Sequence, residues 1–294
     1  MVRLAWVSCA LSIAGCDLNF EHTLDPAVTS SDPAVIAVHG TKQFEVDSFL
    51  GGRVTGVSYT TTGPFEVTEP AGDGAALVTA LAGGNGRIVA TTIDSSSGLD
   101  LTAATATHVA LWRRGMTVDD VRAQRLTTTV PVAANVTLAL QPVVYGAGEL
   151  RLADSSASGA VSGLPPEQDN SIENLGPLSD GTVLDVEVDA AGRGWPLQLI
   201  ATAAATALEL LEEPTPLPAP ETKLFATVCV LALDDAALPI LGAAPSFVIT
   251  GDARLIARGF DPGCVVVAST RARGESVLEA SYAGRVLPIA LRSD

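Results

Sequence analysis

The sequence predicts an all-β protein built from tandem β-sandwiches, and three observations support this fold class. Short runs of apolar and β-branched residues recur along the chain, and turn residues separate them about every 8–12 positions, as in known sandwiches. The 27 glycines and 18 prolines among the 294 residues supply those turns. Beyond a short leader, the length fits three units of about 100 residues each, the usual size of such a domain.

The first unit is predicted from a series of strand-like runs that begins near residue 35. Around Val57 and Tyr59, apolar residues alternate with Ser58 and Thr60, as expected for an antiparallel sheet with one buried face. The predicted strands span residues 35–38, 43–49, 54–60, 65–68, 75–81, 87–93 and 105–112.

The composition excludes several classes of function. Lys and Arg total 17 and Asp and Glu total 33, and a surface with this net charge of −16 repels the phosphates of nucleic acid. Aromatic residues make up 4%, which argues against a base-stacking platform. His22, His39 and His108 lack metal-ligand spacing, so no metal, cofactor or catalytic residue is predicted.

The start of the chain predicts export. Arg3 precedes an apolar stretch, residues 4–15, which as a helix would span about 18 Å, short of the roughly 30 Å hydrocarbon core. A basic residue followed by a short apolar segment is typical of a cleaved secretory signal, here residues 1–15. The alternative is a buried N-terminal strand or helix that contains an ordinary cysteine.

The end of this leader, Ile13-Ala14-Gly15-Cys16, resembles the lipobox of bacterial lipoproteins. The resemblance implies that the Cys16 thiol receives a lipid with palmitate-type chains, and that cleavage leaves Cys16 as the first mature residue. Two or three acyl chains give stable membrane attachment. The predicted location is therefore extracytoplasmic, on the periplasmic face of a membrane or on the outer membrane or cell surface.

Composition also predicts how the mature chain is divided. Residues 16–33 are expected to form a lipid-anchored tether, 34–115 the first sandwich, 116–213 the second and 221–294 the third. Residues 214–220 contain four prolines and predict a stiff, extended linker.

One segment of the second unit fits either strands or a helix, and two others are predicted to be loops that bind a partner. Residues 200–213 favour strands, with an Ala-rich helix as the alternative. Residues 154–163 and 164–180 are predicted to be long loops, where partner contacts are expected.

Several segments resemble the bacterial immunoglobulin-like repeats of adhesins and cell-envelope proteins. In the first unit the similarity lies in residues 35–46, 56–60, 77–80 and 86–91, and residues 274–280 resemble the same closing strand in the third unit. Tyr59 stands where that family usually has Trp, and the loop at 83–86 is longer. The resemblance implies an immunoglobulin-like sandwich fold and a role in adhesion or envelope structure.

The cysteines predict one disulfide. Cys9 leaves with the signal and Cys16 is assigned to lipid, so Cys229 and Cys264 remain in the third unit. Two cysteines in an exported protein usually pair. Two buried free thiols are the alternative.

The sequence therefore predicts a membrane-anchored lipoprotein with a non-catalytic adhesion, structural or protein-binding role. Its expected partners are the membrane, through acylated Cys16, and another envelope protein. The alternative is an exported accessory or substrate-binding subunit of an envelope enzyme.

Overall fold

The structure, a computed structural model, describes residues 23–26, 35–47, 56–69, 75–93, 96–113, 128–164, 171–214, 216–222, 224–259 and 263–293. The predicted signal peptide and Cys16 lie outside these ranges, so lipid attachment stays a prediction. Within them, the regular structure consists of strands and three short 3-10 turns. None of the described helical turns is long and apolar enough to cross a bilayer.

The first unit consists of two four-stranded sheets with orders β1-β3-β6-β5 and β2-β8-β7-β4. The first sheet follows the A-B-E-D order of an immunoglobulin sandwich, and β4, β7 and β8 form the C-F-G order of the second. Phe44, Val78 and Ile88 lie in the core between the sheets. The strands are β1 (Thr23–Pro26), β2 (Val35–Ala37), β3 (Thr41–Asp47), β4 (Ser58–Thr62), β5 (Phe65–Thr68), β6 (Ala75–Ala80), β7 (Gly84–Thr91) and β8 (Ser96–Ala104).

The first unit begins earlier than the sequence predicted. β1 lies within the segment 16–33 that was expected to be a tether, yet it pairs with β3 in an antiparallel register from Thr23↔Asp47 to Pro26↔Phe44. Backbone pairing carries little residue-type signal, which is why the mixed composition of this segment concealed a strand.

The second unit contains a four-stranded sheet, β10-β15-β14-β13, and a three-stranded sheet, β12-β11-β9. β9 had been assigned to the first unit, but it pairs with β11 and places Val109 and Leu111 in the second core. Part of the predicted loop 154–163 is a strand, because Val161 is buried in the same core. The strands are β9 (His108–Arg113), β10 (Thr129–Ala133), β11 (Leu140–Tyr145), β12 (Arg151–Leu152), β13 (Ser158–Ser162), β14 (Val183–Ala190) and β15 (Arg193–Thr202).

The third unit repeats the immunoglobulin order, with sheets β16-β17-β20-β19 and β18-β21-β22. Leu278, Leu291 and Val267 are among the most deeply buried side chains of its core. The strands are β16 (Ala207–Leu210), β17 (Ala226–Leu233), β18 (Ser246–Gly251), β19 (Ala253–Arg258), β20 (Cys264–Ser269), β21 (Glu275–Tyr282) and β22 (Arg285–Arg292).

The predicted Pro-rich linker, residues 214–220, lies inside the third unit. β16 precedes it and pairs with β17, and Leu217 in its middle is 2% exposed in the third core. The Leu217 backbone N–H donates to the Arg292 carbonyl at 2.6 Å, so the segment runs beside the last strand. Proline tolerates this edge position because only alternate N–H groups face the neighbouring strand.

The chain is thus a series of immunoglobulin-like β-sandwiches, and the predicted all-β fold class is confirmed. Residues 200–213 form the end of β15 and then β16, which confirms strands over the helix. The segments between one unit and the next are residues 105–107 and 203–206. Such short connections restrict how neighbouring units can lie.

Candidate functional site: the interdomain joints

The disulfide joins neighbouring strands of one sheet. Cys229 of β17 lies directly opposite Cys264 of β20, with Cα atoms 4.1 Å apart and the two sulfurs bonded. The bond therefore fastens two strands of the same sheet rather than the two sheets of the sandwich. It is a stabilising element of the third unit, not a redox centre of the Cys-x-x-Cys type.

The two described histidines lie near the boundary of the first and second units. His39 occupies the turn after β2 with a left-handed φ of 64°. His108 begins β9 and stacks on Tyr145, with ring centroids 4.7 Å apart. Partial burial lowers the pKa of His108, and nearby Glu149 opposes this by raising it. In the described ranges, no three His, Cys, Asp or Glu side chains converge on a possible metal position.

The third unit has an open groove of about 230 Å³ beside β21 and β22. Glu275, Val277 and Arg292 are among its lining residues. The Arg292 Nε lies 3.7 Å from the Glu275 carboxylate, so its two charged groups face each other. The groove residues offer no nucleophile held by a base, which acyl or glycosyl transfer would require.

The most elaborate polar arrangement among the described residues lies where the first and second units meet. The loop between β11 and β13 reaches back to β2 and forms a parallel bridge between Ile36 and Ala153. The Ala37 N–H donates to the Ala153 carbonyl at 2.9 Å, and the Ala153 N–H donates to the Val35 carbonyl at 2.7 Å. One residue of the second unit thus extends a sheet of the first.

Asp154, the next residue, connects three segments through its carboxylate. Oδ1 accepts from the Thr41 N–H of the first unit at 3.1 Å, and Oδ2 accepts from the Ala191 N–H of the second unit at 2.6 Å. Oδ1 also accepts from the Ser156 N–H at 3.1 Å and the Ser156 hydroxyl at 2.6 Å. Hydrogen bonds to a charged acceptor are stronger than neutral ones, so this carboxylate fastens the loop to both units.

Further contacts hold residues 105–107, which connect these two units. The Arg193 Nη2 donates to the Ala106 carbonyl at 3.3 Å, and the Thr107 N–H donates to the Tyr145 carbonyl at 2.7 Å. Gly192 lies so close to His39 that a Cβ at this glycine would be 2.8 Å from the His39 Cβ. We call the contacts of Ala153, Asp154, Arg193 and Thr107 together joint 1.

A second joint connects the second and third units, and we call it joint 2. The loop between β17 and β18 forms a parallel bridge between Leu241 and Val132. The Ala133 N–H donates to the Leu241 carbonyl, and the Leu241 N–H donates to the Pro131 carbonyl, both at 2.9 Å. The Arg285 Nε donates to the Ala205 carbonyl at 3.2 Å.

Joint 2 is completed by small apolar side chains rather than by a carboxylate. Burial against this region raises the pKa of the Tyr282 hydroxyl. The buried cluster consists of Ala133, Ala205, Ala232, Ile240 and Ala243.

Sequence reasoning missed these joints because most of their bonds end on backbone atoms. It had assigned Asp154 to a loop for partner contacts, whereas the structure uses this residue between units. A detectable signal existed in two repeats: Ala-Thr at 106–107 and 205–206, and Ala-Gly-Arg at 191–193 and 283–285. Internal repeats of this kind indicate equivalent structural positions.

Comparison with known proteins gives little at the level of sequence. No protein-family model and no curated protein matches the chain. Among solved structures it is similar to invasin, a bacterial integrin-binding protein, with 14% identity over 94% of this chain and a TM-score of 0.29. The chain spans 60% of that invasin chain.

Two further solved structures are of envelope or surface proteins. FdeC, an Escherichia coli adhesin, has 16% identity, covering 98% of this chain and 100% of its own, with a TM-score of 0.24. Domains 5–6 of the S-layer protein SbsC have 13% identity, covering 62% of this chain and 100% of theirs, with a TM-score of 0.28. At these identities and TM-scores, no conclusion about function follows from the likenesses.

Proposed function

We propose that the chain is a lipid-anchored, non-catalytic envelope protein whose sandwiches form a spacer between the membrane and the third unit. One observation carries this proposal: each unit is fastened to the next by backbone pairing and an arginine, across connections of three or four residues. Units held in this way transmit a fixed direction along the chain. That property suits a stalk, an adhesin or an assembly module.

Membrane anchoring is supported by the first 16 residues. The basic residue, the short apolar segment and the small-small-Cys ending stand together in the order that a lipoprotein signal requires. The acidic composition suits a soluble ectodomain.

A binding rather than catalytic role is supported by the arrangement of the charged groups. Asp154 accepts backbone N–H groups, Glu275 faces Arg292, and Arg87 faces Asp100 at 3.4 Å. Each of these charged groups either binds backbone groups or forms an exposed ion pair. The partner, another envelope protein, would contact residues other than 154–157, because these are engaged in joint 1.

The anchoring step is tested by mass spectrometry of the N-terminus of the full-length protein isolated from membranes. We expect a chain that begins at Cys16 and carries two or three acyl chains. The Cys16→Ser variant should leave the membrane fraction, whereas the matched control Cys9→Ser should remain there. An intact, unacylated Met1 in the cytoplasmic fraction would overturn the proposal.

A further inference from the structure

We propose that joints 1 and 2 are one repeated device that holds the sandwiches in a fixed relation, with Arg193 and Arg285 as equivalent positioning residues. The inference deepens the proposed spacer role and its biological purpose rests on that role. Its geometry stands on the contacts alone.

The bridges of the two joints coincide in detail. At joint 1, Ala153 pairs in parallel with Ile36 on the edge strand of the first unit. At joint 2, Leu241 pairs in parallel with Val132 on the edge strand of the second unit. In each, the following alanine, Ala37 or Ala133, donates its N–H to the carbonyl of the loop residue. In each, the loop residue donates back to the residue before the bridge. The same two hydrogen bonds are thus made in the same directions.

The connections between units also coincide. Ala106 and Ala205 each accept from an arginine, and the threonine that follows each of them donates its N–H to the last residue of a strand. Those acceptors are the carbonyls of Tyr145, which ends β11, and Leu233, which ends β17. Both bonds hold the start of a unit against its own sheet.

The arginines themselves occupy equivalent hairpins. Ala191-Gly192 precedes Arg193 with φ angles of 53° and 71°, and Ala283-Gly284 precedes Arg285 with 50° and 79°. Two successive positive φ values are the geometry of a tight two-residue hairpin, which fixes where the next side chain points. Each hairpin therefore aims its arginine at the connection that enters its unit.

The turn that follows each bridging strand is repeated as well. His39 and Asn135 each lie three residues after the bridging residue and have φ values of 64° and 61°. A non-glycine residue rarely adopts this conformation, and Asn is one of those that adopt it most readily. Two such residues at equivalent positions indicate a shared backbone course.

The joints differ in what surrounds the shared bonds. At joint 1 the residue after the bridge is Asp154, whose carboxylate binds both units. At joint 2 it is Gly242, whose left-handed φ of 81° disfavours other residues and where an added Cβ would displace the Leu138 Cδ2. Joint 1 is thus the polar version and joint 2 the apolar version of one arrangement.

Distances between spin labels test the inference on the full mature chain, made soluble by Cys16→Ser. Labels at Thr60→Cys and Ser162→Cys report joint 1, and labels at Ser162→Cys and Thr227→Cys report joint 2. These three positions are exposed on strands, and the two native cysteines are bonded to each other. We expect one narrow distance distribution for each pair.

Removing a positioning contact should widen only the distribution of its own joint. Because domains without a locked interface move freely, Arg193→Ala and Asp154→Ala should each widen the joint 1 distribution about twofold. Arg285→Ala should do the same at joint 2 while leaving joint 1 narrow. Asp185→Ala and Arg87→Ala are matched controls, because both side chains are exposed and their partners, Gln198 and Asp100, belong to their own sheets rather than to a joint.

Two results would overturn the inference. One is a broad distribution of spin-label distances in the unsubstituted chain. The other is that the joint variants give distance distributions no broader than those of the control variants. If Asp154→Ala unfolds, Asp154→Asn retains one acceptor oxygen and replaces it, with Arg193→Gln as the second probe. The result is independent of Cys16 acylation, so failure of the anchor and failure of the joints are distinguishable.

Discussion

Asp154 shows how one side chain can serve two domains. Its two oxygens accept backbone N–H groups from Thr41 and Ala191, which belong to different units. If the carboxylate were removed, these donors would lose their partner, and a partly buried donor without a partner costs about 1–3 kcal/mol.

His108 predicts a pH dependence of stability. Burial lowers the pKa of this imidazole below its ordinary value of 6.5, although Glu149 raises it in part. The unfolded chain therefore binds a proton more readily than the folded chain as the pH falls below about 6.5. We expect the free energy of unfolding to be nearly constant from pH 7.5 to about 6.5 and to decrease as the pH falls from there to 5.5.

Urea unfolding at the two pH values measures this effect, with His108→Asn as the comparison. The variant cannot gain a proton at this position, so its free energy of unfolding should decrease less over the same range. Equal decreases in both proteins would show that His108 does not contribute.

At the scale of the elements, the cross-strand disulfide should stabilise the third unit. Cys229 and Cys264 are separated by 35 positions, and closing a loop of about this length contributes roughly 3–4 kcal/mol in the chain-entropy model. Reduction of the full chain should lower the calorimetric transition of the third unit and leave the others in place. The Cys229→Ala/Cys264→Ala double variant should show the lowered transition without reductant and no further change with it.

The Pro-rich segment provides a second test at this scale. Leu217 is buried in the third core, so Leu217→Ala should destabilise that unit by about 2–5 kcal/mol, as is usual for such a truncation. The neighbouring Pro216 is exposed, and Pro216→Ala is the matched control with an expected effect within about 0.5 kcal/mol. Thermal unfolding compares the two, and an unaltered transition in Leu217→Ala would restore the description of this segment as a linker.

The elements were predictable from sequence where one face of a strand is buried. β14 and β21 alternate buried and exposed residues along most of their length, and the pattern predicted strands in both places. The divisions between units were not predictable, because β9 and β16 follow the preceding strand after only three or four residues. The prolines of residues 214–220 also led to a wrong boundary between units, because Leu217 in this segment is buried in the core of the third unit.

At the scale of the whole molecule, the repeated joint explains how a chain with short connections remains in one arrangement. At both joints the preceding unit supplies an edge strand, and the following unit supplies a loop and a hairpin arginine. Hydrogen bonds to backbone groups leave the residue types free to vary, so Asp154 at joint 1 and Gly242 at joint 2 occupy corresponding places. A sequence comparison by residue type therefore detects only the Ala-Thr and Ala-Gly-Arg repeats.

The third unit carries the same receiving edge in an altered form. Leu217 occupies the position in the third unit that Ile36 and Val132 occupy in the first and second. Each of the three pairs in parallel with a residue at the end of its own unit, and the partners are Ala103 for Ile36, Ala201 for Val132 and Ser293 for Leu217. The next residue is alanine in the first two units and Pro218 in the third. Proline has no N–H, so Pro218 cannot make the bond that Ala37 and Ala133 make.

This difference predicts the behaviour of an added fourth sandwich. A copy of residues 107–202 would be joined after residue 294 through two alanines, so that its Thr107 stands four positions after Ser293, as the native Thr107 stands four positions after Ala103. With Pro218 present, the added unit lacks one of the two bridge bonds, and the distribution of spin-label distances across the new joint should be broad. In the Pro218→Ala/Pro220→Asn double variant the donor returns and no proline remains at the position where His39 and Asn135 have positive φ, so we expect the distribution to narrow toward that of joint 1. Equal widths in the two fusions would show that the bridge is not what fixes the units.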